Sequence, residues 1–180
     1  MAKQWNTPPA MVIDPKKKYK ARMETDKGTM VIELFADKAP ITVKNFLAYT
    51  NTGFYNNTVI HRVDENFVIQ GGGYSPDLTA KPTLPPIKNE SKNGLKNLKG
   101  TLSMARYTDP NSATSQFFIN LKNNPTLDPN PADAGYAVFG KVIEGMDVVE
   151  KIGTVKTVRK GVFTTLPAQT ILIKSVKVAP

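Results

Sequence analysis

The sequence predicts a mainly β domain in which antiparallel strands form a barrel and two helices pack against it. Several runs alternate apolar and polar side chains with a period of two, the pattern of strands with one buried face. Only two runs have apolar residues at helical spacing, and the connections between strands are turns or irregular loops. A parallel α/β sheet would need a crossover helix between neighbouring strands, so these observations favour an antiparallel barrel.

The chain has 180 residues, enough for one domain with a substantial core. Residues 1–18 look like an N-terminal extension, because prolines and lysines dominate there, and we expect Trp5 to pack onto the domain. The domain then covers residues 19–180. It opens with a hairpin, because residues 19–25 and 29–35 alternate apolar and polar side chains around a short turn that contains a glycine.

The remaining elements follow from the same patterns. The clearest helix begins near Pro40, a residue suited to the first helical turn, and Gly53 is placed to end it. A shorter helix is predicted at 146–152. Residues 74–98 contain four prolines and little periodicity, which predicts a long loop of a kind that is often functional. Further strands are predicted at 57–63, 67–69, 100–105, 115–120, 135–142 and 170–178.

The stretch HRVDENFVIQGGG, at residues 61–73, is the centre of the sequence. A strand carries a histidine and an arginine near its end, a tight polar turn follows, and a second apolar run stops at a glutamine and three glycines. Because side chains alternate across paired strands, Arg62, Phe67 and Gln70 can project onto one shared surface. The hairpin therefore predicts an apolar pocket with a fixed cation beside it.

Common hydrolase and metal chemistries fit the sequence badly. The chain has no cysteine and one histidine, so disulfides and thiolate catalysis are excluded and a zinc site lacks ligands. His61 would have to serve any Ser-His-Asp triad, but no Gly-x-Ser-x-Gly elbow occurs. The glycines at 71–73 lead into Ser75 and Pro76 rather than into a phosphate-binding helix start, and no acidic pair lies in the apolar strands. We expect neither a metal nor a cofactor.

The net charge of +9 raises the question of nucleic-acid binding. The cations are scattered over residues 16–22, 81–99 and 156–160, without the interleaved series of aromatic residues that single-strand binders use for stacking. This pattern favours a solvated basic surface. No run is long and apolar enough for a signal peptide or a membrane span, so we expect a soluble, cytoplasmic monomer without nucleic-acid or membrane partners.

What remains is an apolar pocket with a cation and amide groups but without a nucleophile or a proton shuttle. Rotation about an Xaa-Pro amide bond needs neither. Its barrier of about 18–20 kcal/mol comes from resonance that delocalises the nitrogen lone pair, and twisting localises that pair on nitrogen. A cationic donor aimed at this nitrogen would stabilise the twisted state more than the planar one, by about 3–4 kcal/mol in a dry pocket. The pocket would consist of Phe67, Val68, Phe118, Leu127 and Tyr136 around Arg62, with Gln70 and Gln116 as neutral hydrogen-bonding groups.

Four motifs carry a resemblance to a known family: HRVDENFVIQGG, NGLKNLKGTLSMAR, SATSQFFIN and GYAVFGKVIEGMDVVEKI. In their order and spacing, residues 19–178 resemble the cyclophilin-type peptidyl-prolyl isomerases. The loop sequence PIKNESKNGLKN is most similar to that of the bacterial cytoplasmic type. The resemblance implies an eight-stranded antiparallel barrel closed by two helices, with a substrate groove on its outer face. It also implies proline-containing peptides and unfolded or nascent proteins as substrates.

The resemblance further implies roles for individual residues. Arg62 matches the family's catalytic arginine. Gln70 and Gln116 match groups that orient the substrate backbone, and Ala105 and Arg106 match the strand edge that pairs with the peptide. The residues that match the proline pocket are Phe67, Val68, Phe118 and Leu127.

Several positions depart from the better-known eukaryotic pattern. Thr126 stands where those proteins have Trp, and Tyr136 stands where they have His. Val68 replaces a common Met, and Arg106 replaces a common Asn. Because cyclosporin binding depends on the missing Trp, we expect it to be weak here, whereas turnover of prolyl peptides should survive.

Simpler interpretations stay open beside these. Arg62 could form a surface ion pair with Asp64 or Glu65, which is the simpler interpretation of the hairpin taken alone. His61 is expected to be packed or hydrogen-bonded rather than to act as an acid or base, and Tyr136 could lie in the core or in the pocket. Two further functions also remain open. One is a proline-peptide binding module or holdase that uses the same groove, and the other is a basic scaffold for nucleic acid or acidic partners.

Overall fold

The structure is a computed structural model that describes residues 13–180, so the expectation for Trp5 lies outside the described residues. Within the described part of the chain, ten strands and two α-helices follow one another. They are β1 Tyr19–Thr25, β2 Gly28–Leu34, α1 Pro40–Asn51, β3 Thr58–Asp64, β4 Val68–Gly71, β5 Thr101–Met104, β6 Phe117–Asn120, β7 Val138–Glu144, α2 Met146–Gly153, β8 Thr157–Lys160, β9 Phe163–Pro167 and β10 Leu172–Ala179.

Eight of these strands close into a barrel in the order β1-β10-β3-β4-β6-β5-β7-β2. Every neighbouring pair in the barrel is antiparallel. The interior follows from the alternation in the sequence, since Ala21 and Met23 of β1 and Met30 and Ile32 of β2 are all buried. The prediction of a mainly β, closed eight-stranded antiparallel barrel with two helices is confirmed.

The first helix fills the core with an aromatic cluster. Phe46 of α1 is fully buried, and its ring centroid lies 5.2 Å from that of Tyr55, 5.9 Å from that of Phe117 and 5.4 Å from that of Phe139. Tilted and edge-to-face contacts at these separations add to the stabilisation from burial alone. On β6, alternation therefore directs Phe117 into the core and leaves the adjacent Phe118 for the opposite face.

The loop over residues 74–98 is irregular, as predicted, and contains only isolated bridges such as that between Tyr74 and Ala80. It is tied to the barrel through Glu90, whose carboxylate accepts hydrogen bonds from the backbone N–H groups of Ile41 and Thr42 at 3.1 and 2.8 Å. These donors lie in the first turn of α1, where no helical carbonyl precedes them. The loop thus caps the helix from outside its own sequence.

The hairpin of β8 and β9 is the main element that the sequence analysis missed. It lies between α2 and β10, pairs only with itself, and has Gly161 at its turn with a φ of 56°. No helix in the described part of the chain has the length and apolar character needed to cross a membrane.

Candidate active site

A β-bulge in β3 decides where the arginine points. Ile60 lies opposite Gly71 and Arg62 lies opposite Gln70, so His61 is an extra residue on β3. Such a residue breaks the strict alternation and re-aims the side chains that follow it. As a result, Ile60 and Val63 both belong to the core, whereas the Arg62 side chain is 41% exposed on the outer face.

Hydrogen bonds hold the guanidinium of Arg62 on two sides. Its Nε donates to Oδ2 of Asp64 at 2.8 Å, and its Nη2 donates to the same oxygen. Its Nη1 donates to Oε1 of Gln70 at 3.2 Å, and Nε2 of Gln70 in turn donates to Oε1 of Gln116 at 2.9 Å. Because a guanidinium has five N–H groups, one N–H on each Nη atom is left for another partner within the described structure.

A cavity of about 270 Å³ lies beside this guanidinium, and both apolar side chains and the polar side chains of Arg62, Gln70 and Arg106 line it. Phe118 and Tyr136 meet edge to face on one side, with ring centroids 5.6 Å apart. The Phe67 ring lies on another side, 6.0 Å from Cζ of Arg62. The structure therefore brings Arg62 and most of the residues predicted for the pocket together around one cavity. The lining residues are Arg62, Phe67, Val68, Gln70, Ala105, Arg106, Phe118, Leu127 and Tyr136.

Three of the predicted site residues lie differently from the others. Thr126 is exposed on the 3-10 turn Pro125–Leu127 and does not line the cavity. Gln116 lies beyond Gln70 and lines an adjoining cavity. Phe67 precedes β4 instead of lying on it, so strand alternation does not apply to the Phe67 and Val68 pair, and both side chains line the pocket.

Arg106 packs behind Tyr136 and holds it at the side of the cavity. Its side chain is only 6% exposed, and its Nε donates to the carbonyl of Gly135 at 3.0 Å. Its Nη2 donates to Asp133 at 3.2 Å, and its Cζ lies 4.5 Å from the centroid of the Tyr136 ring. A guanidinium stacked in this way fixes the aromatic ring. Tyr136, for which the sequence left core and pocket open, therefore lies at the pocket.

A second cavity, of about 260 Å³, shares Arg62 and Gln70 with the first. Part of its wall comes from Val162 and Phe163 of the β8–β9 hairpin, which the sequence analysis did not identify. A signal was present in TVRKGVFTT, residues 157–165, where β-branched runs flank a glycine. The other residues that sequence reasoning missed here are Tyr74, Tyr107, Ser112, Thr114 and Thr164.

The histidine next to Arg62 is buried and uncharged. The rings of Tyr74 and Phe163 pack edge to face against His61, at centroid distances of 4.7 and 5.9 Å. Burial, and to a smaller extent the positive charge of Arg62, together lower the pKa of His61 to about 4. His61 is therefore a packed neutral side chain at pH 7. No group of three or more metal-ligating side chains occurs within residues 13–180.

Comparison with known proteins identifies the family. The family model described as cyclophilin type peptidyl-prolyl cis-trans isomerase/CLD matches residues 20–178. The chain belongs to this family. Peptidyl-prolyl cis-trans isomerase A of Dickeya dadantii (strain 3937) is 51% identical to this cyclophilin over 156 residues, which are 87% of this chain and 82% of that protein. Peptidyl-prolyl cis-trans isomerase B of Escherichia coli (strain K12) is 52% identical over 158 residues, 86% of this chain and 96% of that protein.

Solved structures agree with this assignment. A crystal structure of a cyclophilin type peptidyl-prolyl cis-trans isomerase from Cryptosporidium parvum matches this cyclophilin with a TM-score of 0.79 and 30% identity, covering 91% of this chain and 99% of that chain. A crystal structure of the same protein in the presence of the dipeptide Ala-Pro matches with a TM-score of 0.78 and 31% identity, covering 89% and 99%. The predicted family and fold are confirmed, and this cyclophilin is a peptidyl-prolyl cis-trans isomerase.

Proposed function

We propose that this cyclophilin turns Xaa-Pro bonds by using Arg62 to stabilise the twisted amide while the adjoining apolar cavity holds the proline ring. The observation that carries the proposal is the position of the guanidinium. It lies at the edge of a cavity lined by Phe67 and Phe118, oriented by Asp64 and Gln70. Its substrates are proline-containing peptides and unfolded or nascent chains, in which slow prolyl isomerisation delays folding.

The chemistry required of Arg62 is electrostatic. Twisting the amide removes the resonance responsible for a barrier of about 18–20 kcal/mol and leaves a localised lone pair on the prolyl nitrogen. A guanidinium N–H donates to this lone pair in the twisted state, whereas in the planar amide the lone pair is delocalised and the nitrogen is a poor acceptor. Only an interaction that is stronger in the transition state raises the rate. One such donor contributes about 3–4 kcal/mol, by analogy with oxyanion-hole donors.

The surrounding residues support this role. The Phe67 ring lies 6.0 Å from Cζ of Arg62, and Phe118 and Tyr136 line the same cavity, so a proline ring bound there would displace water from one side of the guanidinium and strengthen its field. Gln70 and Gln116 form a hydrogen-bonded pair that can present amide groups to a peptide backbone. Strand β5 ends at Met104, so Ala105 and Arg106 continue past it along the rim of both cavities, where a peptide can pair with the edge.

Pocket-rim residues bear on inhibitor binding. Because Thr126 is a small exposed residue outside the cavity lining, it offers little surface to a large cyclic ligand. Weak cyclosporin binding therefore stays a prediction. A small proline ring fits within the cavity and does not need a contact surface at Thr126.

Arg62→Ala tests the mechanism. We expect the isomerisation rate of an Xaa-Pro test peptide, measured without a coupling protease, to fall by about 10²- to 10³-fold. Peptide affinity, measured separately by titration, should fall only modestly, because the apolar walls are intact. Arg62→Lys keeps the charge without the planar fork and should give an intermediate rate.

The same experiment addresses the alternative of a proline-peptide binding module or holdase. If Arg62→Ala reduced binding and isomerisation by the same factor, the arginine would contribute to binding alone and the proposed mechanism would be wrong. A series of test peptides that differ in the residue before proline would then define the preference of the groove.

A further inference from the structure

The β8–β9 hairpin contacts the ion pair of Arg62 directly. Oγ1 of Thr165, on β9, donates a hydrogen bond of 2.7 Å to Oδ1 of Asp64. The other carboxylate oxygen of Asp64 accepts both bonds from Arg62. The two oxygens of one carboxylate therefore face two different elements, and the three side chains form a continuous chain from the hairpin to the guanidinium.

These hydrogen bonds on both oxygens fix the orientation of the Asp64 carboxylate plane. An Asp side chain has a broad torsional preference about the bond to its carboxylate, so a single partner does not define the orientation of that plane. Thr165 supplies a second partner on the opposite oxygen, and the χ1 torsion of a β-branched residue is stiff. The Asp64 side chain is 25% exposed, so water competes only partly for these bonds.

The hairpin is itself held against the barrel at this point. Phe163 lies two residues before Thr165, on the same face of β9. Its ring packs edge to face on Tyr74 at a centroid distance of 5.0 Å and on His61 at 5.9 Å. His61 is the neighbour of Arg62 on β3. The hairpin therefore contacts β3 through this aromatic cluster as well as through the hydrogen bond from Thr165 to Asp64.

We propose that Asp64 and Thr165 are positioning residues that orient the guanidinium of Arg62 toward the proline cavity, with the β8–β9 hairpin as their support. This inference rests on the proposed role of Arg62. Catalytic groups must be held close to the productive geometry, and small displacements lower rates without abolishing binding. Loss of the Thr165 hydroxyl leaves the charge pair in place but frees the carboxylate to rotate, and the guanidinium turns with it.

Thr165→Val is the test, because it keeps the branched shape of the side chain and replaces the hydroxyl by a methyl group that cannot donate a hydrogen bond. We expect kcat for an Xaa-Pro peptide to fall about tenfold, the scale of one hydrogen bond to a charged group, and KM to change by less than about twofold. Thr165→Ser should restore the rate to within about twofold of the wild-type value. The matched control is Thr157→Val on the partner strand β8, since Thr157 makes no side-chain hydrogen bond within the described structure and should show wild-type kinetics.

A double variant separates positioning from a general structural effect. If Thr165 acts through Arg62, then adding Thr165→Val to Arg62→Ala should cause no further loss of rate. An equal loss in both backgrounds would mean that Thr165 only supports the fold, and the inference would be overturned. Wild-type kinetics for Thr165→Val, together with a large loss for Arg62→Ala, would also overturn it but leave the role of Arg62 intact. Wild-type activity of Arg62→Ala would instead remove the proposed mechanism itself.

Discussion

Arg62 combines two interpretations that the sequence presented as alternatives. The arginine forms the ion pair with Asp64 that the hairpin alone suggested, and it also lies at the edge of the apolar cavity. These are compatible because a guanidinium has five N–H groups, so Asp64 and Gln70 can hold three of them while one N–H on each Nη atom stays available. An Asp two residues away on the same face is thus an orienting partner.

The single histidine gives a direct prediction about pH. Because burial and the charge of Arg62 lower the pKa of His61 to about 4, His61 stays neutral throughout the neutral range. The isomerisation rate should therefore show no histidine inflection between about pH 5.5 and 8. Since the chain has one histidine, its imidazole NMR signals are unambiguous and report the titration in the same samples. A midpoint near the ordinary value of about 6.5, in rate or in chemical shift, would refute this description of the site.

At the scale of elements, α1 depends on a residue far from it in sequence. Ala39 at its N-terminus provides no side-chain cap, and Pro40 has no backbone N–H to satisfy. Glu90 fills this role through bonds to the N–H groups of Ile41 and Thr42 and to the Thr42 hydroxyl, the last at 2.7 Å. Its negative charge also favours the positive end of the helix dipole.

Glu90→Ala should therefore lower the free energy of unfolding by about 1–2 kcal/mol, the scale of a lost helix cap. Glu90→Gln keeps an acceptor but not the charge and should cost less. Urea unfolding followed by circular dichroism measures both. Glu144→Ala, at an exposed glutamate on β7, is the control for removal of a surface charge. The interpretation of Glu90 as a cap fails if Glu90→Ala and Glu144→Ala have the same midpoint.

The elements also show what sequence patterns can and cannot reveal. The strands β1 and β2 were predictable because one face of each is buried, which imposes the alternation of Ala21, Met23, Met30 and Ile32. The β8–β9 hairpin has mostly exposed or half-buried residues and packs on the outside of the barrel, so no such alternation marks it. The bulge at His61 depends on the register between two strands, which a local pattern does not contain.

At the scale of the whole molecule, the buried neutral histidine makes stability depend on pH. The pKa of His61 is about 4 in the folded protein and about 6.5 in an unfolded chain. Between these values the unfolded state binds more protons, so the free energy of unfolding falls as the pH falls from about 6.5 to about 4. The contribution of His61 is about 3 kcal/mol, present above this window and lost below it.

Chemical unfolding of the wild type and of His61→Phe at pH 7 and near pH 4 measures this contribution. The variant keeps an aromatic ring between Tyr74 and Phe163 but has no group to protonate, so its stability should fall less over the same interval. Carboxylates contribute equally to both proteins, and the difference between the two slopes isolates the histidine. Parallel losses in the two proteins would show that His61 is not the cause.

The barrel and most of the residues around the cavity could be predicted from the sequence, because they follow from periodicity and from residue types at fixed spacing. Phe67, Val68, Phe118 and Leu127 line one cavity with Arg62, and their role as a proline pocket stays a prediction. The hydrogen bond from Thr165 to Asp64 could not be predicted from the sequence. The two residues lie 101 positions apart and meet only when the barrel closes. The cavity-lining residues can thus be found from local sequence patterns, whereas the contacts that orient Arg62 form only in the closed barrel.

The most direct test of the central claim is the exchange rate of a prolyl peptide bound to saturating enzyme, measured by NMR for the wild type and for Arg62→Ala. At saturation, the interconversion of bound cis and trans peptide is separated from affinity. If Arg62 stabilises the twisted amide, the on-enzyme rate falls by about 10²- to 10³-fold in the variant. An unchanged on-enzyme rate, with weaker peptide binding as the only effect, would contradict the claim.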